Sequence, residues 1–308
     1  MPEILELKKS FGKFTALNSL SMNITDNSIF GFVGPNGAGK TTTMKIMAGL
    51  LKADSGNIYI NGEDVLKNPQ KIREKIGYMP DFFGVYDDLK VTEYMDFYAG
   101  TYYIPYADRP SIIDSLLEIV DLSDKKDAYV DSLSRGMKQR LCLARSLIHD
   151  PNLIILDEPA SGLDPRARVE MKEVLKQLKE MGKTIIVSSH ILPELAEMCS
   201  EIGIIDHGQL VTQGTVNEIM NKIHKKRIVR VKTSSAKDTL IRLLKEQTKV
   251  GEITENADNI EFVFNGNDND LTSILRNIIM NGIPVFSFSE AEGNLEEIFM
   301  TVTGGDEK

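Results

Sequence analysis

The sequence predicts an α/β protein with a small α+β unit attached at its C-terminal end. Three observations carry this expectation. An apolar run over residues 29–33 ends directly in a glycine-rich turn that opens a helix. Two further short apolar runs, 153–156 and 184–187, flank a helix-like stretch over 165–181, the pattern of a parallel β–α–β crossover. Near residue 222 the composition shifts, and strand-like and helix-like segments alternate again on a smaller scale.

Taken in chain order, residues 4–7 and 19–24 alternate or run apolar and read as strands, followed by 29–33. Residues 42–50 read as the helix after the glycine-rich turn. A further strand pair is expected at 57–60 and 75–79. The stretch from 82 to about 150 reads as helical, with Pro105 and Pro110 as breaks. Beyond residue 222 the expected order is β (227–233), α (236–247), β (249–255), β (259–264), α (269–281), β (284–290), with a last helix near 294–302. That order resembles a ferredoxin-like unit. The chain is therefore expected to divide into residues 1–222, with a helical subdomain from 82 to about 150, and an accessory domain over 223–308.

Bulk properties narrow the function classes. A length of 308 residues suggests two domains, or one with an appendage. A composition of 42% hydrophobic and 26% charged residues is that of a globular protein. The net charge of −9 and an isoelectric point near 5.1 argue against nucleic acid and anionic membrane surfaces as general partners. Apolar runs are far shorter than a bilayer span, and the opening Met1-Pro2-Glu3 lacks the basic-then-apolar pattern of a secretory leader. A cytoplasmic location is expected, with any membrane-spanning part supplied by a separate subunit. Cys142 and Cys199 lie in no CxxC or Cys/His cluster, so zinc is not expected. Cys142, within Leu141-Cys142-Leu143-Ala144, reads as a small buried hydrophobe. The locally basic stretch containing Lys222, His224, Lys225, Lys226, Arg227, Arg230 and Lys232 reads as a solvated linker face rather than a phosphate contact.

The chemistry is concentrated in a few motifs. Gly34-Pro35-Asn36-Gly37-Ala38-Gly39-Lys40-Thr41 has the spacing of a phosphate-binding loop. Its glycines let consecutive backbone N–H groups turn toward phosphate oxygens at a helix N-terminus that favours anions. Lys40 is expected to reach the β- and γ-phosphates and the Thr41 hydroxyl to ligate Mg²⁺, with Thr42 completing the nucleotide-binding set. The apolar run 153–156 ends in Asp157-Glu158, which places two carboxylates at the carboxyl edge of the sheet. Asp157 suits Mg²⁺ coordination through water, and Glu158 suits polarising an attacking water.

With these in place, Leu133-Ser134-Arg135-Gly136-Met137 resembles the signature loop of ATP-binding-cassette (ABC) proteins, which usually reads LSGGQ. Ser161-Gly162-Leu163-Asp164 is similar to that family's D-loop, His190 to its switch histidine, and Phe11 to the aromatic that stacks on adenine. The resemblance spans about residues 3–220 with every motif in order. It extends to ATPase subunits of bacterial type-2 exporters of the drug- or bacitracin-resistance kind, whose ends the segment Asn294-Leu295-Glu296-Glu297-Ile298-Phe299 resembles. It implies a P-loop NTPase core: a RecA-like parallel sheet with antiparallel β and helical subdomains. It also implies ATP and Mg²⁺ as cofactors, catalytic roles for Lys40, Glu158 and His190, and a nucleotide contact for Asp164.

Two departures from the family pattern matter. Arg135 and Met137 replace the usual residues, yet Ser134 and Gly136 keep the short hydroxyl and backbone N–H that such a loop aims at a γ-phosphate. After Ile76-Gly77-Tyr78-Met79-Pro80 the family commonly places a glutamine, and this chain has Asp81. Aspartate accepts from metal-bound water but cannot donate, and it adds a charge beside Asp157 and Glu158. The resemblance also implies partners: a second ATPase unit, whose Ser134 and Gly136 face this chain's nucleotide, and a membrane-spanning permease. Nine aromatic residues fall between 82 and 106. Some are expected in a core and the rest in a groove for a permease helix. The alternative is a soluble cassette ATPase regulating a process other than transport.

Overall fold

The computed structural model describes residues 1–290 except 83, 85, 87, 192–194, 224–226, 234–235 and 257–258. The helix expected near 294–302, and the tail segment from Asn294 to Phe299, lie outside the described residues. The chain divides into two compact units, Met1–Val216 and Asn217–Lys308.

The first unit holds two sheets. Strands β1 (Glu3–Phe11), β2 (Phe14–Asn23), β4 (Ser55–Ile60) and β5 (Glu63–Asp64) form an antiparallel sheet in the order β2-β1-β4-β5. Strands β3 (Ile29–Val33), β6 (Ile76–Met79), β7 (Leu153–Leu156), β8 (Thr184–Ser189), β9 (Glu201–Asp206) and β10 (Gln209–Thr215) form the second, in the order β10-β9-β3-β8-β7-β6. All its pairings are parallel except β10 with β9. Every residue of β3, β7 and β8 is buried, as a parallel sheet covered on both faces requires. This is the α/β architecture expected from the apolar runs.

Both sheets share one core with helix α1 (Lys40–Met47). Ile4, Leu7, Leu20 and Ile58 of the antiparallel sheet pack with Met44, Ile46 and Met47 of α1 and with Phe30, Ile155 and Ile186 of the parallel sheet. The loop between β3 and α1 is therefore anchored at both ends by buried apolar residues.

Two expectations are corrected here. The strands expected at 57–60 and 75–79 are not partners: β4 pairs with β1 and β5, while β6 pairs with β7. Apolar alternation identifies a strand but not its neighbour, and the short helix α2 (Pro69–Arg73) lies between the two. Pro110 does not break a helix but sits in the first turn of α4 (Arg109–Ile119), where its missing N–H has no acceptor to lose. Pro105 does fall between α3 (Val91–Thr101) and α4. Further helices of this unit are α5 (Arg135–Ser146) and α6 (Pro165–Glu180), the latter forming the β7–β8 crossover. Cys142 and Cys199 are both buried free thiols.

In the second unit, β11 (Arg227–Lys232), β12 (Val250–Glu255), β13 (Ile260–Phe264) and β14 (Ser287–Glu290) form an antiparallel sheet in the order β12-β13-β11-β14. Helices Lys237–Lys245 and Asp268–Met280 interrupt it in a βαββαβ chain order, the ferredoxin-like arrangement. Val229, Val231, Leu240, Leu244, Phe262 and Ile278 are among the side chains of its separate core.

Candidate functional site

The phosphate loop takes its shape from how closely the backbone is packed where β3 ends. A Cβ on Gly34 would lie 2.4 Å from the Ile205 carbonyl oxygen, an approach only glycine allows. Gly39 is left-handed at φ +108°, and a Cβ there would stand 2.6 Å from the Ala16 carbonyl oxygen. The next residue, Lys40, starts α1, whose first-turn N–H groups lack intrahelical acceptors and favour an anion. Lys40 is buried; its Nζ donates to Gly34 O at 2.6 Å and Pro35 O at 3.2 Å, and lies 3.9 Å from Glu158 Oε1. Burial lowers its pKa below the ordinary lysine value, against the opposing pull of Glu158 and Asp157.

The end of β7 delivers the two carboxylates. The Asp157 N–H donates to Met79 O at 2.9 Å, extending the β6–β7 ladder by one residue. Its side chain is 1% exposed; Oδ1 accepts from Ser188 Oγ at 2.7 Å, while Oδ2 has no partner among the described residues. Glu158 is left-handed at φ +51°, a strained conformation for a residue with a side chain. Its N–H donates to Ser188 Oγ at 2.9 Å and its carbonyl accepts from Ser161 N–H at 3.1 Å, which hold the turn. One hydroxyl, Ser188, thus fixes both carboxylate residues.

The Glu158 carboxylate sits between two nitrogens, with His190 Nδ1 at 3.0 Å from Oε2 and Lys40 Nζ on the Oε1 side. Burial raises its pKa above the ordinary glutamate value. The hydrogen bond and charge of His190 and the charge of Lys40 draw it back down, and Asp157 pushes it up. Tyr78 of β6 has a buried hydroxyl without a partner among the described residues, and burial, then Asp157 and Asp81, raise its pKa.

Lys40, Glu158 and His190 line one cleft of about 340 Å³, within the range of small-molecule sites. Phe11 and Phe14, paired across the β1–β2 turn, give it an aromatic side together with Ala16. Pro35, Asn36, Gly37, Gly39, Lys40, Thr41 and Thr42 give the phosphate-loop side, and Asp81, Glu158, Ser161 and His190 the acidic and polar wall. Of the residues expected at the nucleotide, Gly34 and Ala38 do not line the cleft, nor does Asp157. No group of three or more His, Cys, Asp or Glu side chains gathers as a cation cage among the described residues. The arrangement suits Mg²⁺, which takes one or two protein ligands and completes its shell with phosphate oxygens and water. The Thr41 hydroxyl and the unpartnered Asp157 Oδ2 are groups of that kind.

Ser134, Gly136 and Asp164 lie elsewhere. They line a separate depression of about 320 Å³, together with Asp121, Arg140 and Arg166. Ser134 caps α5, its Oγ accepting from Met137 N–H at 3.3 Å; Asp164 caps α6, its Oδ1 accepting from Ala167 N–H at 2.8 Å. A Cβ on Gly136 would lie 3.0 Å from Ala167 Cβ, so glycine lets the starts of α5 and α6 pack together.

The structure adds residues that sequence patterns did not single out. Phe14 lines the cleft beside Ser161, the first residue of the D-loop-like segment. Arg135 Nη2 and Gln139 Nε2 both donate to Ser161 O, at 3.1 and 3.2 Å, tying the start of α5 to the cleft wall. Phe14 could have been found from the strand alternation beside Phe11; the Arg135 contact has no local signal.

Comparison with known proteins identifies the family. The family described as "ABC transporter" matches residues 17–161, and "ATP-binding protein DrrA1-3-like, C-terminal domain" matches 214–303. The linearmycin resistance ATP-binding protein LnrL of Bacillus subtilis (strain 168) is 31% identical over 300 residues, covering 97% of this chain and 96% of the relative. The bacitracin transport ATP-binding protein BcrA of Bacillus licheniformis is 34% identical over 303 residues, covering 97% and 96%. Among solved structures, an ATP-binding subunit of an ABC transporter superposes with a TM-score of 0.65 at 28% identity, covering 72% of this chain and 92% of that one. A dimeric post-hydrolysis ATP-binding cassette bound to ADP and Pi gives 0.64 at 25% identity, covering 70% and 99%. By its motifs, its fold and these full-length relatives, the chain belongs to the ABC transporter family as an ATP-binding subunit.

Proposed function

We propose that this chain is the motor subunit of an exporter, working at the inner face of a membrane through a separate permease. Family membership makes it an ATP-binding, ATP-hydrolysing subunit. The observation that carries the site assignment is the convergence of Lys40, Glu158 and His190 beside the phosphate loop in one cleft.

In that cleft the adenine stacks on Phe11, and the phosphates lie over the N–H groups between Gly34 and Thr42. Lys40 exchanges its loop carbonyls for β- and γ-phosphate oxygens. Thr41 and Asp157 would hold Mg²⁺, which when bound neutralises charge building on the phosphates. Glu158 accepts hydrogen-bonded water and aligns it with the γ-phosphorus, taking up its proton as the phosphate leaves. His190 holds the carboxylate in that position. Asp81 stands in the cleft wall, where it would accept from water on that cation.

Ser134, Gly136 and Asp164 line a depression separate from their own phosphate-loop cleft, which supports a head-to-tail pair in which each chain completes the other's site. The dimeric cassette to which the chain is similar supports the same assembly. ATP would close such a pair and hydrolysis reopen it. No described helix is long and apolar enough to cross a membrane, so the path for cargo belongs to the permease. The relatives named for linearmycin resistance and bacitracin transport support export as the task.

The test is release of inorganic phosphate by the wild type and by Glu158→Gln. The variant is expected to retain ATP and to turn over at least about 100-fold more slowly. Equal rates would reject Glu158 as the base.

A further inference from the structure

The hydroxyl of Tyr78 has no structural task in the fold. Its ring packs against the main core, but its oxygen is buried and bonded to nothing among the described residues. Such a group is costly to bury and is seldom kept without a partner. A phenylalanine would pack the same ring without that cost.

Strand register puts this oxygen on the same side of the sheet as the inner carboxylate. Tyr78 pairs with Ile155 across the parallel β6–β7 ladder, so their side chains share a face, and Asp157, two residues on, returns to it. That face carries the core built from Ile155 and from Met44, Ile46 and Met47 of α1, the helix that bears Thr41. Asp157 presents a second unmet atom there: Ser188 occupies Oδ1 and nothing meets Oδ2. One buried hydroxyl and one buried carboxylate oxygen, both unpartnered, therefore sit on one face beside the phosphate loop.

We propose that the Tyr78 hydroxyl is a positioning group of the divalent-cation site, its oxygen accepting a hydrogen bond from the cation's hydration shell beside Asp157 Oδ2. This rests on the Mg²⁺·ATP reading of the cleft. A hydrated Mg²⁺ or Mn²⁺ next to Thr41 and Asp157 would supply the polarised water O–H groups that the hydroxyl oxygen lacks, and outer partners of this kind set the orientation of the ligands they touch. Tyr78 makes no contact with the reacting phosphate and acts only through the cation site.

The experiment compares full-length wild type and Tyr78→Phe for ATP binding, first in excess EDTA and then across a Mn²⁺ titration followed by electron paramagnetic resonance. In EDTA the two proteins are expected to bind ATP equally and to melt at the same temperature. With Mn²⁺, half-saturation in the variant is expected to rise on the order of tenfold, with an altered Mn²⁺ spectrum. In Asp157→Asn the same Tyr78→Phe change is expected to have little further effect, because both act on one shell. Equal Mn²⁺ dependence and spectra in the two proteins overturn the proposal. A loss of ATP affinity in EDTA as large as that with Mn²⁺ also overturns it, since Tyr78 would then act on the nucleotide. If the wild type itself shows no Mn²⁺-dependent gain in ATP binding, the cation site falls, and the proposal with it.

Discussion

His190 Nδ1 stands 3.0 Å from Glu158 Oε2, joining the residue that follows β8 to the second residue beyond β7. The contact holds down the pKa of a carboxylate that burial raises above the ordinary glutamate value. A base must be ionised to take a proton, so hydrolysis is expected to fall as the pH drops through this raised pKa.

The sign of the His190 effect follows. Removing the imidazole removes both of its lowering contributions and leaves burial and Asp157 pushing upward. His190→Ala is therefore expected to move the acid limb of the pH–rate profile to higher pH. It should also slow phosphate release by about 100-fold or more through loss of alignment. His190→Gln, which retains a donor but no charge, should move the limb less. Single-turnover phosphate release across pH checks this; an unmoved limb in His190→Ala would remove His190 from the site.

Ser188 is the second prediction. Its hydroxyl donates to Asp157 Oδ1 and accepts from Glu158 N–H, and it is fully buried. Ser188→Ala leaves a buried carboxylate oxygen and a buried N–H without partners. The expected loss is about 1–3 kcal/mol of unfolding free energy, with weaker cation dependence of ATP binding. Urea unfolding measures the first and Mg²⁺ titration the second. A variant as stable as the wild type would show that water replaces the hydroxyl without cost.

The limits of the sequence are visible in these same residues. The phosphate loop and the Asp157-Glu158 pair were legible because their spacing along the chain is itself the chemistry: strand, glycine turn, helix, then an apolar run ending in acid. The βαββαβ order of the second unit was legible from alternation and breaks. Ser188 was not, because its role depends on β8 lying beside β7, a neighbour relation that periodicity does not encode. The misassigned partnership of 57–60 with 75–79 has the same cause. The distance of Ser134 from its own phosphate loop entered only through family resemblance, and Arg135 looked like a mere departure from the signature until its guanidinium reached Ser161.

That contact gives the third prediction. Ser161 O receives two donors, Arg135 Nη2 and Gln139 Nε2, so either one backs up the other. Arg135→Ala alone, at an exposed position, is expected to cost less than about 1 kcal/mol. Combined with Gln139→Leu, the loss should exceed the sum of the two single losses by roughly 0.5 kcal/mol or more, because only the double variant strips the carbonyl of both donors. A double-mutant cycle by urea unfolding measures this coupling. Simple additivity would show that the two bonds are not alternatives.

The last prediction concerns the aromatic stretch after Asp81. Tyr94 is fully buried in the helical part, as a core residue should be, and Tyr102 stacks on His149 with centroids 3.9 Å apart. Phe82, Tyr86 and Phe97 are instead exposed, with Phe82 at 90%, and Tyr86 meets Phe97 edge to face at 5.5 Å. Phe83 lies outside the described residues. Large exposed aromatics directly following a residue of the cleft wall suit a groove for a permease helix, because such side chains anchor interface centres. Since none of the three lines the cleft, the isolated chain carrying Phe82→Ala, Tyr86→Ala and Phe97→Ala should bind and hydrolyse ATP within about twofold of the wild type. Co-purification with its permease, and stimulation of ATPase activity on reconstitution, should fall at least about tenfold, the loss expected when one or two interface anchors are truncated. Parallel loss of basal hydrolysis would instead assign these rings to the folding of the helical part.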